Sequence, residues 1–203
     1  MQKLIQYLFL FFIAYPLSAQ VDSGYIKCNL NFIESTVALD TSNLNPMDFK
    51  KAYDDKFKNW NSCIQNFKAP NFTVFTTFND TFALEKSLSK IIVLNFWSLN
   101  CPPCLIELKV LNALSKEYKQ EDVHFVSLTP NSKMQIMDYN YKKITTISNA
   151  QDIFDLYGIY GYPQTIILRK NHKIKYQFIG INMKETEKFK EVLKIKINEA
   201  LFE

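Results

Sequence analysis

The chain has 203 residues, 47% of them hydrophobic and 22% charged, which is enough apolar material for a packed core and too little charge for a disordered chain. Its formal net charge of +4 is spread without a basic run, which excludes nucleic acid as the expected partner.

Lys3 precedes a nearly unbroken apolar stretch from Leu4 to Tyr15, and Leu17-Ser18-Ala19 supplies small residues for cleavage near Gln20. Residues 1–19 therefore read as a secretory signal peptide, shorter than the ~20 apolar residues that a spanning helix needs. The expectation is an exported protein, in the periplasm, with no stable membrane span after cleavage. An uncleaved N-terminal anchor facing the periplasm is the alternative. Cys28, the first cysteine, follows Ile26-Lys27 rather than small residues, so no lipid-attachment motif is visible. Disulfides persist in an exported chain, and the four cysteines fall into two pairs, Cys28 with Cys63 and Cys101 with Cys104.

Residues 20–68 form an N-terminal, mainly helical extension. Asn45-Pro46-Met47-Asp48 is a helix start, with Asn as N-cap, Pro at the first helical position and Asp in the first turn. Phe49, Tyr53, Phe57, Trp60, Ile64 and Phe67 then step by three or four, an aromatic stripe expected to pack against the neighbouring domain. Cys63 flanks the stripe. A structural disulfide to Cys28 is the expectation; two independent buried thiols and a second redox couple remain as the other readings.

Residues 69–203 carry the main domain, organised around VLNFWSLNCPPCLIE. Ile91 to Trp97 reads as a strand buried on both faces, and Leu105, Leu108, Leu111 and Leu114 recur at helical spacing. Cys101-Pro102-Pro103-Cys104 therefore sits where a strand ends and a helix begins. The unpaired N–H groups and the positive dipole end of a first helical turn favour a thiolate over a thiol at Cys101. Cys104, one turn on, is close enough to close a disulfide, and the two prolines suit the first turn and stiffen it. A structural zinc site would need further ligands. His124 lies in the apolar strand Val123 to Leu128 and His172 in a polar turn, so neither is placed to supply one. Redox chemistry is the expectation, with no metal and no cofactor. Glu107 follows Cys104 by three residues and shares its helix face.

Further along, Ser132 to Tyr139 reads as a short helix, Ile144 to Ile147 as a strand, and Ala150 to Tyr157 as a helix. Thr165 to Arg169 and Lys173 to Phe178 are β-rich and joined by a turn. Asn182 is expected to cap a last helix with Phe189, Val192, Leu193 and Ile197 on its inner face. Strands alternating with helices and then an antiparallel hairpin give an α/β fold, a mixed central sheet with helices on both faces.

The stretch KAPNFTVFTTFNDTFALEKSLSKIIVLNFWSLNCPPC, together with YGIYGYPQT from Tyr157 to Thr165, resembles the thioredoxin-like thiol-disulfide oxidoreductases of the TlpA/ResA type. The resemblance covers about the last two-thirds of the chain. It implies a thioredoxin-like fold and an enzyme that exchanges disulfides with protein partners. It also implies that Pro163 forms a cis peptide against the disulfide, that the backbone of Tyr162 pairs with the bound substrate strand, and that an acid at Glu107 influences the active-site thiols. A reductant fed by a membrane thiol donor and serving exported proteins such as apocytochromes c is the implied physiology. Four departures stand out. Asn95 replaces an aspartate found in other thioredoxins, Asn100 an aromatic residue, Lys109 a proline, and Tyr162 a smaller residue. Two alternatives remain. Ser98-Leu99-Asn100-Cys101 fits part of a peroxiredoxin site, although position 94 is Leu where that signature has proline, so a thiol peroxidase is one. A non-catalytic metal-binding carrier using Cys101 and Cys104 is the other.

Overall fold

The structure, a computed structural model, describes residues 22–39, 45–119, 122–139 and 143–203. The expected signal peptide lies outside the described residues. Among those residues no helix is long and apolar enough to cross a membrane.

Five strands form the central sheet in the order β5-β4-β3-β6-β7. β3 (Ile91–Phe96) pairs in parallel with β4 (Val123–Leu128), which pairs in parallel with β5 (Ile144–Ile147). On the other side β3 pairs antiparallel with β6 (Gln164–Leu168), which continues antiparallel to β7 (Ile174–Ile179). A separate hairpin, β1 (Thr73–Phe75) with β2 (Thr81–Ala83), precedes the sheet. The helices are α1 (Ser23–Val37), α2 (Pro46–Ile64), α3 (Pro102–Ser115), α4 (Gln151–Tyr157) and α5 (Thr186–Leu201).

β3 is buried along its whole length because both sheet faces are covered. Its period of two sends Ile92, Leu94 and Phe96 to one face, where they meet Phe154 and Tyr157 of α4. Ile91 and Val93 go to the other, against Leu111 and Leu114 of α3 and Leu193 and Ile197 of α5. Trp97 joins Cys104, Leu108 and Ile136 in a smaller cluster at the end of that face. The alternation also puts Asn95 on the side of α3.

The extension contains one more helix than the sequence pattern singled out. α1 begins at Asp22, whose side chain accepts from Gly24 N at 2.8 Å, and runs beside α2. The Cys28–Cys63 disulfide joins the two. Phe32 of α1 stacks on Trp60 of α2 with ring centroids 4.7 Å apart, and Trp60 Nε1 donates to Asn29 Oδ1 at 2.9 Å. Much of the aromatic stripe on α2 therefore packs on α1; Phe57 also meets Tyr176 of β7, and Phe49 remains exposed. As expected, Asn45 caps α2, accepting from Met47 N and Asp48 N. Asn61 then docks the hairpin of helices on the sheet edge. Its Nδ2 donates to Gln177 O at 3.0 Å and its Oδ1 accepts from Gln177 N at 2.9 Å. One amide thus satisfies both backbone groups of an edge-strand residue, where bare groups invite pairing with another chain. Tyr25, Cys28, Trp60 and Ile64 share one core with the sheet.

Two elements differ from the pattern. Ser132 to Tyr139 forms turns and a 3-10 turn at Met137–Tyr139 instead of a helix. Ile136 is its buried apolar residue, Met134 and Met137 are exposed, and the Gln135 side chain accepts from Ser132 N and Oγ, so no continuous apolar face exists to hold a helix down. At the C-terminus, Asn182 Oδ1 accepts from Lys184 N in a preceding turn, and α5 starts only after Glu185. The inner face of α5 is Leu193, Ile197 and Ala200, with Phe189 partly buried, while Val192 is left exposed.

The Cys28–Cys63 bridge closes a loop with a sequence separation of 35. On the chain-entropy model, a Cys28→Ser, Cys63→Ser double variant is expected to lose about 3–4 kcal/mol of unfolding free energy in urea denaturation. Cys101 and Cys104 should remain exchangeable in that variant.

Candidate functional site

Beyond Phe96 the chain stays tied to the sheet for one more residue, Trp97 N donating to Leu128 O at 3.0 Å. The connection to α3 is then pinned by Asn131 from the loop after β4. Its Oδ1 accepts from Leu99 N at 3.0 Å, Ser98 Oγ at 3.3 Å and Thr129 Oγ1 at 2.9 Å. Asn131 escaped the sequence reading because nothing local marks it; its role is set by which loops meet at the sheet end.

Cys101 is the N-cap of α3, and Pro102 and Pro103 fill the first positions, where a missing N–H costs no helical bond. Cys101 Sγ accepts from Cys104 N at 3.2 Å. The two cysteines form a disulfide with Cα atoms 5.2 Å apart. The sulfurs are not equivalent. Cys101 is part-exposed, whereas Cys104 is fully buried against Trp97 and Leu108. An incoming sulfur nucleophile therefore meets Cys101 first.

Glu107 lies one turn below Cys104 and is 1% exposed. Asn95 of β3 and Thr165 of β6 face each other across the antiparallel ladder, on the side of α3. Both donate to Glu107 Oε1, Asn95 Nδ2 at 3.1 Å and Thr165 Oγ1 through a short hydrogen bond. Asn95 Nδ2 also reaches Thr165 Oγ1 at 3.1 Å. Burial pushes the Glu107 carboxyl up to about 7 from its usual 4.5, with the bonds from Thr165 and Asn95 pulling the other way. Among the described residues, Glu107 Oε2, Asn95 Oδ1 and Trp97 Nε1 are buried without a hydrogen-bond partner. A carboxyl that changes charge near neutrality beneath a thiol pair can take and return a proton. Thr165 was not singled out from sequence, although its place two positions after Pro163, at the entry to the apolar run Ile166 to Leu168, was the available signal.

The Tyr162–Pro163 peptide is cis. Gln164 pairs with Phe96, so Pro163 emerges beside Trp97, at the same sheet end as Cys101. Pro163 O is taken by Gly180 N at 2.8 Å, and Gly161 O by Gln164 Nε2 at 2.9 Å. The backbone N–H and C=O of Tyr162, between them, make no hydrogen bond among the described residues. Its ring sits edge-on to Phe154 with centroids 5.6 Å apart. The two histidines lie elsewhere. His124 is level with Ile92 at the opposite end of β3, and its Nε2 is 2.7 Å from Thr145 Oγ1. Burial, aided by Lys90, lowers its imidazole to about 4, which keeps it neutral. His172 occupies the turn between β6 and β7.

The AhpC/TSA family model matches residues 66–177, more than half of the chain and all of the strands just described except the end of β7. Thiol-disulfide oxidoreductase ResA of Bacillus thuringiensis (strain Al Hakam) is 30% identical over 123 residues, spanning 58% of this chain and 71% of the relative. The ResA protein of Halalkalibacterium halodurans is 28% identical over 133 residues, 63% of this chain and 76% of the relative. Among solved structures, a Chlorobium tepidum protein provisionally named thiol:disulfide interchange protein DsbE superposes with a TM-score of 0.60 at 22% identity, covering 68% of this chain and 97% of the other. That likeness establishes the thioredoxin-like fold. The length of the family match and the identity to ResA establish the rest: the chain belongs to the AhpC/TSA family, as a thiol-disulfide oxidoreductase of the ResA type.

Proposed function

We propose that this oxidoreductase is exported and reduces protein disulfides through Cys101 and Cys104, with residues 69–203 as its catalytic domain and residues 20–68 as a helical extension. The carrying observation is the asymmetry of the pair: a part-exposed sulfur at a helix N-terminus bonded to a buried one above a buried carboxyl.

In the reduced state the Cys101 thiolate attacks one sulfur of a partner disulfide, and the other partner sulfur leaves as a thiolate that takes up a proton. Cys104 then displaces the partner from Cys101 Sγ and restores the Cys101–Cys104 bond. Two electrons pass from the dithiol to the partner, and two protons follow. Glu107 takes the proton from Cys104 as it attacks, one helical turn away on the same face. The free backbone groups of Tyr162 receive the partner's extended chain, with Pro163 shaping that edge beside the disulfide.

The direction rests on the resemblance to the family. The helix N-terminus favours the Cys101 thiolate, while a buried carboxyl on the next turn disfavours a negative charge on Cys104, so electrostatics alone does not fix the direction. The reductant direction is therefore the one that the resemblance to the TlpA/ResA type implies. Export is supported by the apolar stretch from Leu4 to Tyr15 and by a second disulfide, Cys28–Cys63, of the kind that persists outside the cytosol. A membrane thiol donor on the same side would restore the dithiol, and exported proteins, apocytochromes c among them, would be the substrates.

Cys101→Ser should abolish insulin reduction in the presence of dithiothreitol, whereas Cys104→Ser should accumulate a mixed disulfide visible by mass spectrometry. A reduction potential near about −270 mV supports reductant duty, and one near about −120 mV would reverse the assigned direction. For Glu107, folding raises the carboxyl from 4.5 to about 7, so the folded state holds a proton that the unfolded chain has lost between those values. Its stability contribution is complete below pH 4.5 and is lost as pH rises through 7. In the oxidised protein, Glu107→Gln should thus gain up to about 3 kcal/mol over the parent above neutrality and little at pH 4, measured by denaturant unfolding. The same variant should shift the titration of Cys104 in the reduced protein; an unchanged titration removes Glu107 from the proton path.

A further inference from the structure

α1 buries Tyr25 and Cys28 but leaves a second row bare. Ile26, Leu30, Ile33 and Val37 follow one another by four, three and four residues, the spacing of one helix face, and all are exposed, Leu30 at 48% and Val37 at 80%. Beside this row lies a cavity of about 410 Å³, walled by Ile26 and Leu30 of α1 and by Leu156 and Tyr160 across from them. A second cavity, of about 170 Å³, carries on from Ile33 past Tyr160 to Gly161 and Gln164. The apolar groove therefore runs from α1 to the two residues that flank Tyr162–Pro163. Tyr160, 79% exposed, stands in both cavities.

The groove has one sign of charge. Asp152 and Asp155 of α4 line the larger cavity, both exposed, and no lysine or arginine lines either. Among the described residues Asp155 meets only the Gln151 amide, at 2.9 Å, and neither carboxylate has a cationic partner.

We propose that this groove receives an extended segment of the protein substrate, apolar and carrying a lysine or arginine, that adjoins the cysteine under exchange. The proposal rests on the reading that protein disulfides meet Cys101 along the Tyr162–Pro163 edge, and it adds what part of the substrate is recognised. A partner whose sulfur reaches Cys101 must lay its neighbouring residues somewhere, and Gly161 and Gln164, which line the end of the groove, adjoin that edge in the chain. An extended segment of six residues covers roughly 20 Å at ~3.3 Å each, which sets the reach of the segment the groove would receive. Alternate side chains fill the two cavities, and a basic residue meets the acidic rim. The helical extension thereby becomes a specificity element built onto the catalytic domain.

The test is stopped-flow oxidation of the reduced protein by three disulfides: a symmetric peptide disulfide with Leu-Ile-Leu-Lys beside the cysteine, the same peptide with Ser-Gly-Ser-Glu in its place, and glutathione disulfide. Each peptide is made with the segment on either side of the cysteine. The parent protein should prefer the apolar, basic peptide by about tenfold, a difference that a few apolar contacts and one charge pair supply. Leu30→Asp combined with Ile33→Asp should remove the preference and leave the glutathione disulfide rate unchanged, which also reports an intact fold. Asp155→Lys, on an exposed helix surface, should lower the rate for the Lys-bearing peptide and raise it for the Glu-bearing one. A preference that survives both variants, or no preference in the parent, overturns the groove assignment. So does a dimer of the parent that Leu30→Asp dissociates in sedimentation, since the groove would then be a contact between copies. Reduction of glutathione disulfide with neither peptide reduced would instead overturn the protein-disulfide reading beneath it.

Discussion

Glu107 is buried one helical turn after Cys104 with Asn95 and Thr165 both donating to its Oε1, and the placement of three elements depends on that contact. β3 and β6 must be paired so that Asn95 and Thr165 stand opposite each other. α3 must lie across them at the rotation that turns Cys104 and Glu107 down together. A slip of one residue in either strand would send its donor to the far face and leave a carboxyl buried without compensation. An unpartnered buried carboxylate is costly, and its ordinary escape is to keep its proton to higher pH. Here the two hydrogen bonds moderate that escape and leave the group changing charge close to neutrality.

The helical extension is held to the rest by contacts that reach the same end of the molecule. Asn61 occupies both hydrogen-bonding groups of Gln177 on the edge strand, and Tyr25 OH donates to Tyr157 O at 3.1 Å where α4 ends. Gly158 follows with a positive φ of 64°, capping α4 and turning the chain toward Pro163. A larger residue there would strain the backbone through its positive φ, while its Cβ would lie 3.6 Å from Asn29 Nδ2 of α1, an ordinary contact. The loop that carries the cis-proline therefore rests on α1 as well as on the sheet. Loosening the extension would reach the Tyr162–Pro163 loop without touching Cys101 or Cys104.

Strong local signals were readable in the chain: the apolar run of β3, the prolines and cysteines at the start of α3, the Asn45 cap and the hairpin of β6 and β7. Each is fixed by neighbours within a few residues, through periodicity, capping or turn chemistry. Where a local signal was weak, the pattern misled. Ser132 to Tyr139 has helix-compatible residues but a single buried one, and Asn182 has the right side chain for a cap in a turn that begins too early. α1 escaped notice although it carries two apolar rows, Tyr25 and Cys28 buried and Ile26, Leu30, Ile33 and Val37 exposed.

By itself the sequence determined that a thiol pair stands at a strand-to-helix junction, because that chemistry and its setting occupy fifteen consecutive residues, Val93 to Glu107. Only the tertiary structure decided what surrounds the pair: which sulfur is covered, that Asn95 and Thr165 share one carboxylate oxygen, that Asn131 holds the approach to α3, and that α1 borders the cis-proline loop. Apart from the cover that Trp97 and Leu108 give Cys104, these are contacts between residues 12 to more than 100 positions apart, and their geometry comes from strand register and helix rotation, which are set by the whole core and leave no mark on any one stretch of chain.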